Sequence, residues 1–128
     1  MVMHEAYSYD EFTDSLFISM PIDYKYNGVI EIEEGEIMVE FDTNNTPRAI
    51  EILNASMVLN TESKNLLKEN IKKIELTFEV TNDKISVELE LVSELNLENN
   101  NIKIVETGLN SVNIPENTQE FLINGGLC

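Results

Sequence analysis

Apolar residues recur at every second position in two stretches, 30–32 and 37–41, and this period of two constrains the fold most. Ile30 and Ile32 fall on one side of an extended chain, while Glu31 between them falls on the other. Three apolar residues continue the same inward side in the next stretch: Ile37, Val39 and Phe41. Such alternation predicts half-buried β-strands with one face on a core and one face in water.

Turn residues separate these predicted strands. Gly35 predicts a tight hairpin, because glycine adopts a positive φ at no steric cost. The run D-T-N-N-T at 42–46 predicts a turn, since Asn and Asp side chains bond to nearby backbone groups. Pro47 then marks the entry to a strand with Ile50 and Ile52 inward. With a further hairpin predicted upstream, the first half of the chain is predicted to be an antiparallel meander.

The period changes between residues 61 and 73. Four apolar residues recur there at helical spacing: Leu66, Leu67, Ile71 and Ile74. Asn60 or Thr61 is a suitable N-cap for a helix that starts at this point. The sequence therefore predicts one principal helix over 61–73, which packs Leu67 and Ile71 on the sheet.

Alternation resumes over residues 74–106 and predicts further antiparallel strands. The inward positions are Ile74, Leu76, Phe78, Val80, Ile85, Val87, Leu89 and Leu91. Residues 107–128 show no period and are predicted to form an irregular tail. The whole pattern predicts a single α+β domain over 1–128, with a mainly antiparallel sheet of about seven strands and one helix on one face.

Charge excludes several classes of partner. The chain has 24 acidic and 8 basic residues and a net charge of −16, which argues against binding to nucleic acid or to an anionic membrane. One cysteine, Cys128, allows no intramolecular disulfide. The longest apolar stretch, 16–22, falls far short of a membrane span. These features predict a cytoplasmic protein.

Catalytic motifs are missing from the sequence. His4 is the single histidine, so a Ser-His-Asp triad would have to use it, and no G-x-S-x-G motif is present. With one histidine and one cysteine, Cys128, no zinc cluster can be assembled. The glycine-rich motifs that bind phosphates are absent. A pair of catalytic carboxylates cannot be located among 24 candidates. The sequence therefore predicts a protein that is not an enzyme and has no certain cofactor.

Glutamates crowd the outward positions of the predicted strands. The outward set is Glu31, Glu40, Glu51, Glu75, Glu79, Glu88 and Glu90. Like charges directly opposite each other destabilise a sheet by about 0.2–1 kcal/mol per pair, so such a face is either simply solvated or neutralised by a partner. One candidate is a stripe of Lys64, Lys68 and Lys72 on the predicted helix, which either lies beside the acidic face or edges the apolar side of the helix.

A divalent cation is the other candidate neutraliser. Ca²⁺ and Mg²⁺ prefer oxygen ligands, and the Gly35 hairpin brings several carboxylates together. The candidate metal ligands are Glu33, Glu34, Glu36 and Asp42. The loop from Asp42 is not an EF-hand, because Pro47 stands where that loop needs glycine and Leu53 where it needs glutamate. Weak Ca²⁺ or Mg²⁺ binding is therefore the alternative function.

Four motifs between residues 9 and 56 resemble one known family. These are Y-D-E-F-T-D, E-E-G-E, F-D-T-N-N-T and I-E-I-L-N-A-S, and together they resemble the domain of unknown function 2283 family of small bacterial and archaeal proteins. That family has no established chemistry. Its members are often found in two-gene arrangements resembling toxin–antitoxin pairs. The resemblance implies a protein-interaction module that masks a basic partner, in the manner of an antitoxin.

Overall fold

The chain folds, in a computed structural model, into two antiparallel β-sheets that share one apolar core. The structure describes residues 7–20, 22–32, 35–59, 65–68, 71–95 and 98–124. No helix in these ranges is long and apolar enough to cross a membrane.

The first sheet contains the first five strands of the described chain. The strands are β1 (Tyr7–Asp10), β2 (Ser15–Ser19), β3 (Tyr26–Ile32), β4 (Ile37–Asp42) and β5 (Pro47–Ile52). Their order is β1-β2-β5-β4-β3, so the predicted meander is wrong at one point. Strand β2 pairs with β5 instead of β3, because this places Leu16 opposite Ile52 and Ile18 opposite Ile50 on the core side.

The helical content is small. Helices α1 (Ala55–Val58) and α2 (Asn65–Lys68) have four residues each. The predicted α+β class with a principal helix over 61–73 is therefore wrong. Within that window the described helix is α2, and the residues from Ile71 onward already belong to a strand. The described fold is mainly β.

A β-bulge explains why a strand mimics helical spacing here. Ile71 lies opposite Ser93, whereas Lys73 lies opposite Val92, so Lys72 is an extra residue in its strand. The bulge turns both Ile71 and Ile74 toward the core, where they are buried. Their spacing of three, which is typical of a helix face, thus arises from an irregular strand.

The second sheet contains four longer strands. These are β6 (Ile71–Val80), β7 (Lys84–Leu95), β8 (Glu98–Leu109) and β9 (Asn117–Asn124), in the order β8-β7-β6-β9. The prediction of an irregular tail over 107–128 is wrong for β9, which pairs with β6 along its whole length. Phe121 of β9 packs against Phe78 of β6 with ring centroids 6.4 Å apart. This contact joins residues that are far apart in the chain, so local periodicity could not predict the strand.

The core draws on both sheets. The predicted inward residues of both sheets lie in it, apart from Ile30, which is partly buried and packs against it. This part of the prediction is confirmed. The fully buried members with the largest side chains include Phe41, Ile37, Ile50 and Ile52 from the first sheet and Phe78, Ile74, Leu76 and Leu89 from the second. Leu67 of α2 joins the same cluster. The side chains at the alternate positions of the strands therefore lie on the outer face of each sheet.

Candidate functional site

The outward glutamates belong to two separate surfaces and not to one. Glu31, Glu40 and Glu51 lie on β3, β4 and β5 of the first sheet. The remaining predicted members, Glu75, Glu79, Glu88 and Glu90, lie on β6 and β7 of the second sheet. The prediction of a single acidic sheet face is therefore wrong. Each sheet turns its apolar side to the shared core and its polar side away from it, so the glutamates of the two sheets lie on different surfaces.

Three carboxylates of the first sheet stand on adjacent strands. Met38 of β4 lies opposite Glu31 of β3 on one side and opposite Glu51 of β5 on the other. Glu40 lies opposite Val29, one step further along the same face. Glu40 is therefore a diagonal neighbour of both other glutamates, a relation that brings residues about 7–8 Å apart.

Glu40 is half-buried, whereas Glu31 is exposed. Burial raises the pKa of its carboxyl group, and the charge of Glu51 raises that pKa further. The Tyr24 hydroxyl donates a hydrogen bond to Glu40, which opposes this rise. Burial, together with the same carboxylate, raises the pKa of Tyr24 to about 12. The ionised form of Glu40 is thus disfavoured where it stands.

The described cations of this chain do not pair with these three carboxylates. Among the described residues, no basic group lies within 4.0 Å of Glu31, Glu40 or Glu51. Arg48 is the basic residue of β5, and its Nε bonds to Asp42 Oδ2 at 2.8 Å. The guanidinium group of Arg48 is therefore already paired with Asp42.

Apolar side chains lie between the carboxylates. Phe17 of β2 stands opposite Glu51, and Met38 stands between Glu31 and Glu51. Val29 is 43% exposed beside Glu40. We call this surface the acidic face, defined by Glu31, Glu40 and Glu51 with Phe17, Val29 and Met38. It combines negative charge with partly exposed apolar area.

The outer face of the second sheet differs because lysines are interleaved with its carboxylates. Lys73 Nζ lies 2.9 Å from Glu75 Oε1, and Lys103 Nζ lies 3.0 Å from Glu88 Oε1. These contacts raise the pKa of both lysines, and the charge of Glu90 adds to the effect. Much of the charge on this face is therefore balanced within the chain.

The predicted lysine stripe does not exist as a helical surface. Lys68 of α2 pairs with Glu11 at 3.0 Å, whereas Lys72 belongs to β6 and pairs with Glu94. Lys64 lies outside the described residues. Because Lys68 and Lys72 are on different elements, they do not form one stripe beside the acidic face.

The two predicted metal ligands that the structure describes, Glu36 and Asp42, lie at opposite ends of β4. Glu33 and Glu34 lie outside the described residues, and Glu36 directly precedes β4. Asp42 ends β4, so about 20 Å of extended chain separates it from Glu36. In the described ranges, no group of three or more His, Cys, Asp or Glu residues is placed to hold a metal ion. Ion binding at the hairpin by Glu33, Glu34 and Glu36 stays a prediction, without Asp42.

Asp42 has a structural task. Its Oδ1 accepts hydrogen bonds from the backbone N–H groups of Asn44 at 2.8 Å and Thr46 at 3.0 Å. Burial by itself raises its pKa, but these bonds and that of Arg48 outweigh burial and hold the pKa below its usual value. The carboxylate thus closes the turn between β4 and β5, as the Asx pattern at 42–46 predicted.

A second carboxylate, Asp14, was not singled out by the sequence analysis. It adopts a positive φ of 55° and accepts hydrogen bonds from the hydroxyls of Tyr9 and Ser56, both at 2.6 Å. The backbone N–H of Ser56 also bonds to its Oδ1 at 3.1 Å. Burial and the contact with Asp14 raise the pKa of Tyr9. Asp14 thus ties the first hairpin to the start of α1, 42 residues later.

The signal for this contact lies in the family-like motifs themselves. Y-D-E-F-T-D contains Tyr9 and Asp14 and opens the family-like segment, while N-A-S closes it at Ser56. No local periodicity relates the two ends, since the contact forms between residues far apart in the chain. Both hydroxyls donate to the same Asp14 carboxylate, so this cluster stabilises the segment.

Comparison with known proteins finds one family model that matches the amino-terminal part of the chain. Residues 6–56 match the model of the family described as "Protein of unknown function (DUF2283)", and the predicted resemblance is confirmed. The match covers the five strands of the first sheet and the start of α1. The acidic face therefore lies entirely within the family-related segment.

One curated relative extends beyond that segment. The chain is 28% identical over 109 residues to "Uncharacterized protein MJ0789" of Methanocaldococcus jannaschii, with 77% of this chain and 93% of the relative covered. No solved structure matches the chain significantly.

Proposed function

We propose that this protein is a non-enzymatic interaction module that binds a basic partner protein through the acidic face and masks it, in the manner of an antitoxin. The observation that carries the proposal is the set of three carboxylates, Glu31, Glu40 and Glu51, on adjacent strands without a neutralising cation among the described residues.

Electrostatics favours a cationic occupant of this face. Neighbouring carboxylates repel one another, and the raised pKa of Glu40 reports both burial and the charge of Glu51. A lysine or arginine from a partner would relieve this repulsion by forming charge-assisted hydrogen bonds. The net charge of −16 would also steer a basic protein toward the chain and accelerate its association.

The apolar residues of the acidic face supply contact area. Phe17, Val29 and Met38 lie in the same rows as the three glutamates. Aromatic side chains and methionine are enriched in protein interfaces, which are not purely ionic surfaces. A partner with basic side chains around an apolar centre would therefore suit this face better than a simple polycation.

Binding to the protein encoded beside this gene, where that protein is basic, tests the proposal. Isothermal titration compares the wild-type chain with Glu31→Gln/Glu40→Gln/Glu51→Gln. The matched control is Glu75→Gln/Glu79→Gln/Glu88→Gln on the second sheet. Each triple variant removes three negative charges and changes the net charge from −16 to −13.

We expect the first variant to weaken binding by about tenfold or more, which is about 1.4 kcal/mol, and the control to change it by less than about twofold. Equal losses in the two variants would show that net charge, and not the acidic face, governs association. Failure of the wild-type chain to bind any basic neighbour would contradict the masking role.

A further inference from the structure

We propose that strand β9 is a docking edge to which an extended, basic segment of a partner adds as a fifth strand of the second sheet. The basic character of the partner rests on the proposed function. The strand-addition geometry rests on an independent observation, the state of the four sheet edges.

Three of these edges are protected. Strand β1 has four residues, and its Tyr7 hydroxyl donates a hydrogen bond to the Leu67 carbonyl of α2, so a helix lies beside it. Strand β3 carries an irregularity between Tyr26 and Gly28. Strand β8 meets β3 where Gly108 packs on Ile32, and the remainder of β8 carries Lys103. Short length, bulges, lysines and covering elements are the means by which proteins prevent unwanted strand pairing.

Strand β9 has none of these protections in the described part of the chain. It has eight residues, N-T-Q-E-F-L-I-N, without proline, lysine or arginine. It pairs with β6 in unbroken register, from Lys73 opposite Asn124 to Val80 opposite Asn117. No described strand pairs with its other edge. Its outer backbone N–H and C=O groups therefore form a regular template for another strand.

The chemistry on the two sides of β9 specifies the incoming segment. On the outer side, Glu120 stands opposite Thr77, and a groove of about 420 Å³ is lined in part by Glu75 and Glu120. On the core side, Phe121 and Ile123 lie against the apolar cluster. Side chains alternate between the faces of a strand, so the segment that fits has basic residues outward and apolar residues inward.

A second copy of the chain is the less suitable occupant. Each copy carries a net charge of −16, so self-association brings two strongly acidic molecules together. A basic segment, by contrast, places its cations beside Glu120, whereas Glu75 is already paired with Lys73. Charge complementarity therefore selects the basic segment.

The test uses a fluorescent peptide in which lysine and valine alternate, with the same length as β9, and measures its affinity by fluorescence anisotropy. A peptide of the same composition with its lysines and valines in two blocks is the control for charge alone. Two further peptides carry N-methyl groups on alternate residues, one on the odd and one on the even positions. We expect the alternating peptide to bind and the block peptide to bind at least about tenfold more weakly. Only one of the two N-methylated peptides should bind, because an added strand uses every second N–H for pairing.

Two protein variants locate the binding edge. Glu120→Lys places a charge on β9 that repels the peptide, and we expect at least about a tenfold loss of affinity. Glu98→Lys makes the same charge change at an exposed position of β8, and we expect less than about a twofold change. Equal losses in these variants, binding by both N-methylated peptides, or no binding at all would overturn the proposal, as would a wild-type chain that forms dimers through β9 in sedimentation experiments.

Failure of this proposal and failure of the proposed function are distinguishable. The variant Glu31→Gln/Glu40→Gln/Glu51→Gln leaves β9 unchanged, so it should bind the alternating peptide like the wild-type chain. Loss of peptide binding in that variant would place the peptide on the acidic face and contradict docking at β9.

Discussion

Gly108 of β8 packs directly against Ile32 at the end of β3. A Cβ atom at position 108 would lie 2.8 Å from Ile32 Cβ and 3.4 Å from Ile32 Cα, and closer still to Ile32 Cγ2. The first of these distances is shorter than packed carbon atoms tolerate. The two sheets thus approach each other at their β3 and β8 edges to a distance that glycine permits.

We predict that Gly108→Ala destabilises the fold by about 1–3 kcal/mol, because the added methyl group overpacks this contact. Gly28→Ala is the matched control, since a Cβ at Gly28 would meet no atom within 4 Å. Urea unfolding of both variants measures the effect. A neutral Gly108→Ala, or a loss of the same size in Gly28→Ala, would contradict the close approach of the two edges.

Asp42 should make stability depend on acid pH. Its pKa is held below the usual value in the folded state, so its contribution is complete above the unfolded pKa of about 3.9 and is lost as pH falls through the folded pKa. We predict that Asp42→Asn costs about 1–3 kcal/mol at neutral pH. The difference in unfolding free energy between this variant and the wild-type chain should shrink as the pH falls below about 3.9.

Unfolding free energies at pH 7 and at successively lower pH measure this dependence. Glu98→Gln, at an exposed position, is the control that removes a carboxylate without a turn to close. A difference between Asp42→Asn and the wild-type chain that stays constant with pH would mean that the charge of Asp42 is not what stabilises the turn.

Glu40 should act in the opposite direction. Its folded pKa is raised, so ionisation costs stability once the pH exceeds the ordinary value of about 4.3, and the cost grows until the pH passes the folded pKa. We predict that Glu40→Gln increases the melting temperature at pH 7 and leaves it nearly unchanged below that ordinary value. The glutamine carbonyl can still accept the Tyr24 hydrogen bond. Lower stability at pH 7 would show that the carboxylate is favourably paired.

Asn110 joins two connections at one end of the second sheet. It is buried, and its Nδ2 donates to the carbonyls of Thr81 at 2.9 Å and Ile114 at 2.8 Å, while its Oδ1 accepts from the Ile114 N–H at 2.9 Å. We predict that Asn110→Ala costs about 1–3 kcal/mol, because buried polar groups lose their partners. Thermal unfolding beside the exposed control Asn101→Ala checks this, and equal melting temperatures would disprove it.

Local signals in the sequence predicted much of the first sheet. Gly35 has the positive φ of 84° that its hairpin position suggested, and Asn45 adopts a positive φ of 60° in the predicted Asx turn. Period-two alternation identified Ile37, Val39 and Phe41 as core residues, all of which are buried. These features depend on neighbouring residues and therefore leave a direct trace in the sequence.

The candidate site was predicted in part. Alternation correctly placed Glu31, Glu40 and Glu51 outward, but it could not assign them to a different sheet from Glu75 and Glu88. Sequence spacing also grouped Asp42 with the hairpin carboxylates, although β4 carries it to the other end of the strand. Strand direction, and not residue type, decides which carboxylates are neighbours.

The sequence by itself determined the strand faces, the turns and the excess of negative charge, because each depends on residue type and short-range geometry. Tertiary structure decided the pairing of β2 with β5, the bulge at Lys72 that resembled a helix, and the ordering of β9 against β6. These features arise from contacts between distant segments, whose free energy is gained once apolar surface is buried between them. Local periodicity does not indicate which strands pair with each other.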